Sequence, residues 1–409
     1  MQRTTWTIAW RNLWRNRKRT ALAVLTIAIG QWALLATQGM MRGYTDSIEA
    51  SITGPMLGDI QINAPKYRSE HAMDETIDGL TAKLAAIRAL PGVAEASARI
   101  YAPVLMAPKE EAYVAMVVGI DVADESGPNG LLAGFQGRLA SHEVLLGYRL
   151  ARTAHAKVGD QIALVGQAVD GSIADDLYRV AGIVDCAADL VNQSGVVMSL
   201  SDAQQLLALG DRAHEIAIRA ERGEELAGLQ AALTALPALH GLEIVSWKQI
   251  MPEMVMIMKM TGYSAYFILA LMLIAAVAGI ANTVMMSTYE RIHEFGMLLA
   301  LGCTPGRIVR MILMEALFVA VLGAVAGTAA GWGWNAVFAR TGLNLAALGG
   351  TAVKDLAMNG LRLPLDIHPR LLASDPLVGL IAASTVSLLA ALWPAIAAGR
   401  LDPMEALRQ

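Results

Sequence analysis

Cysteine is nearly absent from this 409-residue chain. Cys186 and Cys303 are the only two, too few for a disulfide framework. The seven histidines are scattered and show none of the spacings that hold a metal. No G-x-x-x-x-G-K-S/T stretch occurs, and Gly302-Cys303-Thr304-Pro305-Gly306-Arg307 is not one, so the chain does not cradle nucleotide phosphates itself. No Ser/His/Asp grouping or pair of acids marks a catalytic pocket. Charged residues make up only 17%, below the usual share for soluble domains. The net charge of −4 gives no reason to expect nucleic-acid binding. Acids deep inside the apolar runs are also missing. Glu315 stands one turn inside the third run, where pairing with Arg310 or Arg307 is expected; proton-coupled carriers place acids nearer the bilayer centre.

Apolar sequence is abundant instead: 55% of residues are hydrophobic and the mean hydropathy is +0.46. Four stretches reach the roughly 20 residues that span a bilayer: Thr20 to Met41, Tyr263 to Met286, Ile312 to Phe338 and Pro376 to Ala398. The expected fold is an α-helical membrane protein with four transmembrane helices and a large α+β extracytoplasmic domain between helices 1 and 2. A basic amphipathic cytoplasmic helix, 1–19, precedes the first span at 20–41. The outer domain occupies 42–250, with a mixed lobe from both ends and a β-rich lobe at about 105–200. A stem and second span follow at 251–286, a cytoplasmic loop at 287–311 and the third span at 312–338. An outer loop at 339–375, the fourth span at 376–398 and a cytoplasmic tail at 399–409 complete the chain.

Basic residues near the helix ends orient the spans. Arg3, Arg11, Arg15, Arg17, Lys18 and Arg19 precede the first run with no acid among them. From Arg42 to Gly262, acids outnumber bases 28 to 17. The N-terminus is therefore expected inside, the large domain outside and the C-terminus inside, with Cys186 and Cys303 on opposite sides. The first run is too long for a cleaved signal peptide, and no clear small-x-small site follows it. Trp6, Trp10 and Trp14, spaced by four with arginines between, predict a helix lying on the inner surface.

Within the insert, Gly58–Asn63, Val93–Arg99, Ala112–Ile120, Glu143–Leu146, Asp160–Val165, Leu177–Asp185, Glu215–Arg219 and Leu242–Ser246 read as strands. From Trp247 to Tyr263 an amphipathic helix leads into the second span, with Met251, Met254 and Met258 on one face. A packing face and a flexible surface for acyl chains both fit that stripe; Cu(I) would need Cys or His partners that are not there. In the loop after the second span, Glu290 and Glu294 fall four apart, so on one helix face they would repel. A loop carrying them is expected to meet cations on a partner docked from the cytoplasm.

These residues carry a resemblance. Glu290-Arg291-x-x-Glu294-Phe295-Gly296-x-x-x-Ala300-x-Gly302 is similar to the coupling-helix signature of MacB/FtsX/lipoprotein-releasing ABC transporter permeases. The tail Pro394-Ala395-x-x-Ala398-x-Arg400-Leu401-Asp402-Pro403-Met404-Glu405-Ala406-Leu407-Arg408 resembles that family's C-terminal motif, and Ala9 to Arg17 resembles its basic leading helix. The insert is most similar to the Lol-type lipoprotein-releasing permeases at Gly58–Ile62, Val118–Asp121 and Gly147–Ala151. It departs at Val165–Leu177, which is short and proline-free where the chaperone-binding permease carries a longer hairpin.

The resemblance implies a non-catalytic subunit of the bacterial inner membrane, multi-pass, with both termini cytoplasmic. Its implied partners are a cytoplasmic ABC ATPase dimer that binds ATP and Mg, a second permease copy or paralogue, the lipid bilayer and a periplasmic cargo acceptor. In the coupling loop Glu290, Arg291, Glu294, Phe295, Gly296, Leu299 and Gly302 would engage the ATPase, with Phe295 and Leu299 packing into its groove. An apolar cargo groove open to the outer leaflet is expected at Trp32, Leu35, Gln38 and Met41 of the first span. On the stem and second span it would take Met254, Met258, Tyr263, Tyr266 and Phe267. The implied work is mechanotransmission on a lipoprotein or other amphipathic cargo. MacB-like efflux and FtsX-like regulation of a cell-wall hydrolase are the alternatives.

Overall fold

A computed structural model describes residues 10–400 except Asn12, Asn16, His71, Pro128, Asn129, Gly134, Gln136, Ala187, Arg222 and the segments 345–356, 359–360 and 363–365. The expectations for Arg3, Trp6 and the motif beyond Arg400 fall outside the described residues. The chain forms two compact units. One comprises Met1–Thr45, Ile257–Leu345 and Asp366–Gln409; the other comprises Asp46–Met256 and Ala346–Leu365.

Helix α1 runs from Arg17 to Ile52 and continues as a π turn, Thr53–Leu57. It is longer than the apolar run at 20–41 because nothing breaks it before Gly54-Pro55, where proline lacks the N–H that an α ladder needs.

The outer unit is built on nine strands: β1 (Ile60–Asn63), β2 (Val93–Ala107), β3 (Tyr113–Ile120), β4 (Glu143–Gly147), β5 (Gln161–Gln167), β6 (Ile173–Val184), β7 (Gly195–Ser199), β8 (Glu215–Ala220) and β9 (Glu243–Ser246). They pair in the order β9-β1-β8-β2-β3-β7-β4-β6-β5, and β2 also pairs with β5. Only β3–β7 and β4–β6 are parallel. The first part of β2 belongs to the open sheet and its end closes a barrel on β5, Val104 opposite Gly166. One strand thus serves both halves of the insert, where the sequence suggested separate lobes. Strand β7 was not read from the sequence; it is a five-residue run without alternation, buried throughout except at Ser199. Helices α2 (Leu80–Arg88) and α3 (Leu226–Thr234) bury Leu80, Ile87, Leu229 and Leu233 in the same core as Ile60, Ile62, Ile216 and Ile218.

The helical unit adds α4 (Pro252–Glu290), α5 (Ile292–Ala300), α6 (Pro305–Thr341) and α7 (Asp375–Gly399). Among the described residues, three helices are long and apolar enough to cross a membrane: Thr20–Leu57, Pro305–Thr341 and Asp375–Gly399. The run expected as the second span lies within α4, which has 39 residues, several of them with side chains outside the described set, and is not among the three.

Glycines let α6 lie directly on α1. Gly323, Gly327 and Gly331 repeat every fourth residue, and a Cβ at Gly327 would stand 2.4 Å from the Ala28 carbonyl oxygen and 2.6 Å from the Gln31 Cβ. Between apolar helices in lipid, such small-residue rows allow the close backbone approach on which packing depends. Further along, Asn335 donates to the Leu35 carbonyl at 3.2 Å, and Gln31 donates to Thr328 at 3.3 Å. Gly327→Leu is expected to cost about 1–3 kcal/mol through overpacking. The midpoint of SDS-induced unfolding of the purified permease should fall. Gly333→Leu, where nothing lies within 4 Å of the added Cβ, should leave it in place.

Candidate functional site

The turn between α4 and α6 builds the site. Helix α4 stops at Glu290 because Arg291 leaves the helical region (φ −112°, ψ 14°), and α5 begins at Ile292. Glu290 and Glu294 therefore do not share one continuous helix, and Glu294 finds its cations within the chain. At the other end Gly302 takes φ +88°, a left-handed turn that favours glycine, and Pro305 starts α6. Nothing lies within 4 Å of a Cβ added at Gly302, so this glycine serves the turn and not a close approach.

Arg291 organises the charges. Its Nη1 donates to both oxygens of Glu315, at 3.0 and 2.9 Å, and its Nε donates to Glu294 at 3.1 Å. The guanidinium also lies 5.0 Å over the Phe295 ring. Glu315 thus pairs with the loop arginine and not with Arg307 or Arg310, because the turn folds α5 back beside the start of α6. Arg15 donates to the other Glu294 oxygen at 2.6 Å. Burial pushes the Glu294 carboxyl up, but the hydrogen bonds from Arg15 and Arg291 outweigh it and hold it below the ordinary carboxylate range. A cavity of about 340 Å³ opens beside this network, lined among others by Thr20, Thr283, Ser287 and Glu315.

The apolar side of α5 faces inward. Phe295, 1% exposed, packs with Ile308, Met311, Ile312, Ala395 and Ala398, and Leu299 borders the same cluster. Both were expected in a partner's groove; the burial of Phe295 in this chain's own core does not fit that role, and Leu299 is half-buried against the same core. Gly296 is buried as well. The outward side presents Met297, Leu298 and Leu301, the last 85% exposed. Sequence reasoning missed these three; a helical wheel places Met297 opposite Phe295, whereas Leu298, three residues on from Phe295, flanks the inward face.

The cargo residues are not brought together as one groove. Leu35 is fully buried against Gly331 and Met254 is buried in the outer unit, so neither lines an open surface. Trp32 meets Trp334 edge-on at 5.5 Å. Gln38, Met41 and Met258 are half-buried. Tyr263, Tyr266 and Phe267 are exposed, and in the same half of α4 Met256 and Met260 are exposed too. The outward stripe of α4 is therefore Met256, Met260, Tyr263, Phe267, Leu271 and Ile274, rotated from the methionine face drawn from sequence.

Residues 20–236 match the MacB-like periplasmic core domain, and residues 266–403 match the FtsX-like permease C-terminal domain. The chain is 20% identical over 329 residues to the lipoprotein-releasing system transmembrane protein LolC of Neisseria meningitidis, covering 77% of each. It is 29% identical over 144 residues to the ABC transporter permease YtrF of Bacillus subtilis, covering 35% of this chain and 31% of that one. The match to the macrolide export ATP-binding/permease protein MacB 1/2 of Paracoccus denitrificans is 29% over 147 residues, 34% of this chain and 19% of that one. The chain thus spans only about a third of the Bacillus permease and a fifth of the Paracoccus protein. The solved periplasmic region of MacB from Actinobacillus actinomycetemcomitans is similar over 48% of this chain and 91% of its own, with 14% identity and a TM-score of 0.35. Two domain matches in tandem, the first over more than half of the sequence, place the chain in the MacB/FtsX-type family of ABC transporter permeases.

Proposed function

We propose that this chain is the permease subunit of a mechanotransmission-type ABC transporter, with α4 as the second of four spans and both termini cytoplasmic. ATP and Mg bind to a separate ATPase. The cargo is a lipoprotein or another amphipath taken at the outer face of the inner membrane. The observation that carries this reading is the pair of unbroken helices α1 and α4, of 36 and 39 residues. At 1.5 Å per residue they are about 54 and 58 Å long, against a hydrocarbon core of about 30 Å. Each continues, without a flexible linker, from membrane-type sequence into the sequence of the outer unit. The relative that aligns over most of both chains is the lipoprotein-releasing one, which favours lipid-anchored cargo over macrolide efflux.

Photo-crosslinkers at Met260 and Tyr263 test the cargo. They should capture a lipoprotein or diacyl lipid when the complex is nucleotide-free, and lose it when ATP and vanadate trap the ATPase. Capture of permease alone in both states would refute the cargo reading.

Docking of the ATPase falls to the outward face of α5. Leu301→Glu places a carboxylate in an apolar contact, where desolvation is costly. Affinity for the co-purifying ATPase should drop at least tenfold, with insertion unchanged. Charge reversal at Glu294 is a poorer probe, since it sets a cation beside Arg15 and Arg291 within the chain.

A further inference from the structure

The π turn that ends α1 presents backbone carbonyls to two buried arginines on neighbouring strands. Arg219 of β8 donates through Nη1 to the Gly54 oxygen at 3.1 Å. Arg99 of β2 donates through Nη1 to the Met56 oxygen. Both guanidiniums converge on Glu125: Arg99 Nε reaches Oε1 at 2.8 Å and Arg219 Nη1 lies 3.9 Å from Oε2. Glu125 is itself fixed by the Ser97 hydroxyl at 2.6 Å and the Leu131 N–H at 2.8 Å. Arg219 also pairs with Glu95, directly opposite it across the strands, at 2.5 Å.

The next two residues bind the start of the second stem to the same strands. Gly58 takes φ +69°, and a Cβ there would stand 2.7 Å from the Ile218 oxygen. Asp59 donates its N–H to that oxygen at 2.7 Å and accepts the Ala220 N–H on its carboxylate at 2.8 Å. Its carbonyl accepts the N–H of Trp247, at the head of the turn that leads into α4, at 3.1 Å.

We infer that Arg99, Arg219 and Glu125 form a clamp that passes displacement of the outer end of α1 to the nine-stranded sheet, making them positioning residues for transport. This inference rests on the mechanotransmission reading. Terminal carbonyls of a helix have no partner inside it, and water would otherwise take them. Two charge-assisted donors held by one buried carboxylate fix them instead. A helix end held at two successive points by a planar fork cannot rotate or withdraw without moving the strands.

The test uses the permease with its co-purified ATPase in lipid nanodiscs, spin-labelled at the exposed Ala50 and Ile173 of a Cys303→Ser background. In the wild type the intrachain distance should be narrow and identical in the nucleotide-free and ATP–vanadate states, since helix and sheet travel together. In Arg99→Lys/Arg219→Lys the charges stay but the forks are lost. The distribution should at least double in width and shift on trapping, with basal ATP hydrolysis unchanged and cargo stimulation lost. Glu125→Gln is the substitute if the lysine variant fails to assemble. A narrow, nucleotide-independent distance in the variant overturns the clamp. A separate result, an Ile173-to-Ile173 distance between two wild-type copies that ATP does not alter, would sink the transport reading instead, and the width of the Ala50–Ile173 distribution would still decide the clamp.

Discussion

Arg99→Ala should loosen the outer unit by about 3–5 kcal/mol, the range for removing one member of a buried ion pair. Arg99 is fully buried, and its loss takes from Glu125 its nearer cation, leaving Arg219 at 3.9 Å, and from Glu215 the arginine at 3.6 Å. The Met56 carbonyl loses its donor at the same time. Because two units in one chain need not unfold together, the measurement is native-state hydrogen exchange on the intact permease, read at β1, β2 and β8. Protection there should fall by about two to four orders of magnitude. Arg179→Ala, which removes a pair with Glu143 from an exposed guanidinium, should change protection by less than tenfold. Equal losses in the two variants would show that burial of the charge is not what matters.

Glu215 should make the same unit weaken as pH rises towards neutrality. Burial pushes its carboxyl up to about 7; Arg99, at 3.6 Å, and the Gln61 amide, at 2.6 Å, pull the other way. One guanidinium stands between two carboxylates, and the closer, better hydrogen-bonded Glu125 takes it, its own carboxyl held low by Arg99. Glu215 therefore keeps its proton in the folded state more readily than in the unfolded one. Its contribution is full below about pH 4.5 and is lost progressively as pH rises to about 7. A shift of that size corresponds to about 3 kcal/mol across the window. Tyr101, Tyr67, His214 and Glu125 are the other titratable groups nearby. In Glu215→Gln the decline should vanish and protection of β8 at pH 8 should exceed that of the wild type, after correction for intrinsic exchange. A wild-type profile flat from pH 4.5 to 7.5 would contradict the assignment.

Three long apolar helices, the α+β insert and the turn at Gly302 were legible because each rests on a pattern local in sequence: apolar length, a polar stretch of domain size, a glycine before a proline-led helix. The clamp was not. Arg99, Glu125 and Arg219 are far apart along the chain, and β2 is buried on both faces around Ala96–Ile100, so no alternation marks Arg99 as internal. The two faces of α5 were equally readable, but only the packing of Phe295 on α6 and α7 decides which one turns inward. The Gly323-x-x-x-Gly327-x-x-x-Gly331 row was in plain view, and its meaning needed the identity of the facing helix. Arg291 and Glu315 were both noted, and what paired them was the reversal at Gly302.

The position of β1 has a kinetic consequence. It lies between β8 and β9, with Ile60 opposite both Ile218 and Ser246. The first strand of the insert therefore waits for the last. Pairings this distant close slowly, because the loop entropy must be spent before any contact repays it. During synthesis the sheet cannot be completed until residues up to Ser246 have been delivered, and α4 begins six residues later, at Pro252. Maturation of the outer unit and placement of the second stem become consecutive events of biogenesis. Until then the edge of β1 that β9 will cover stays open to mispairing.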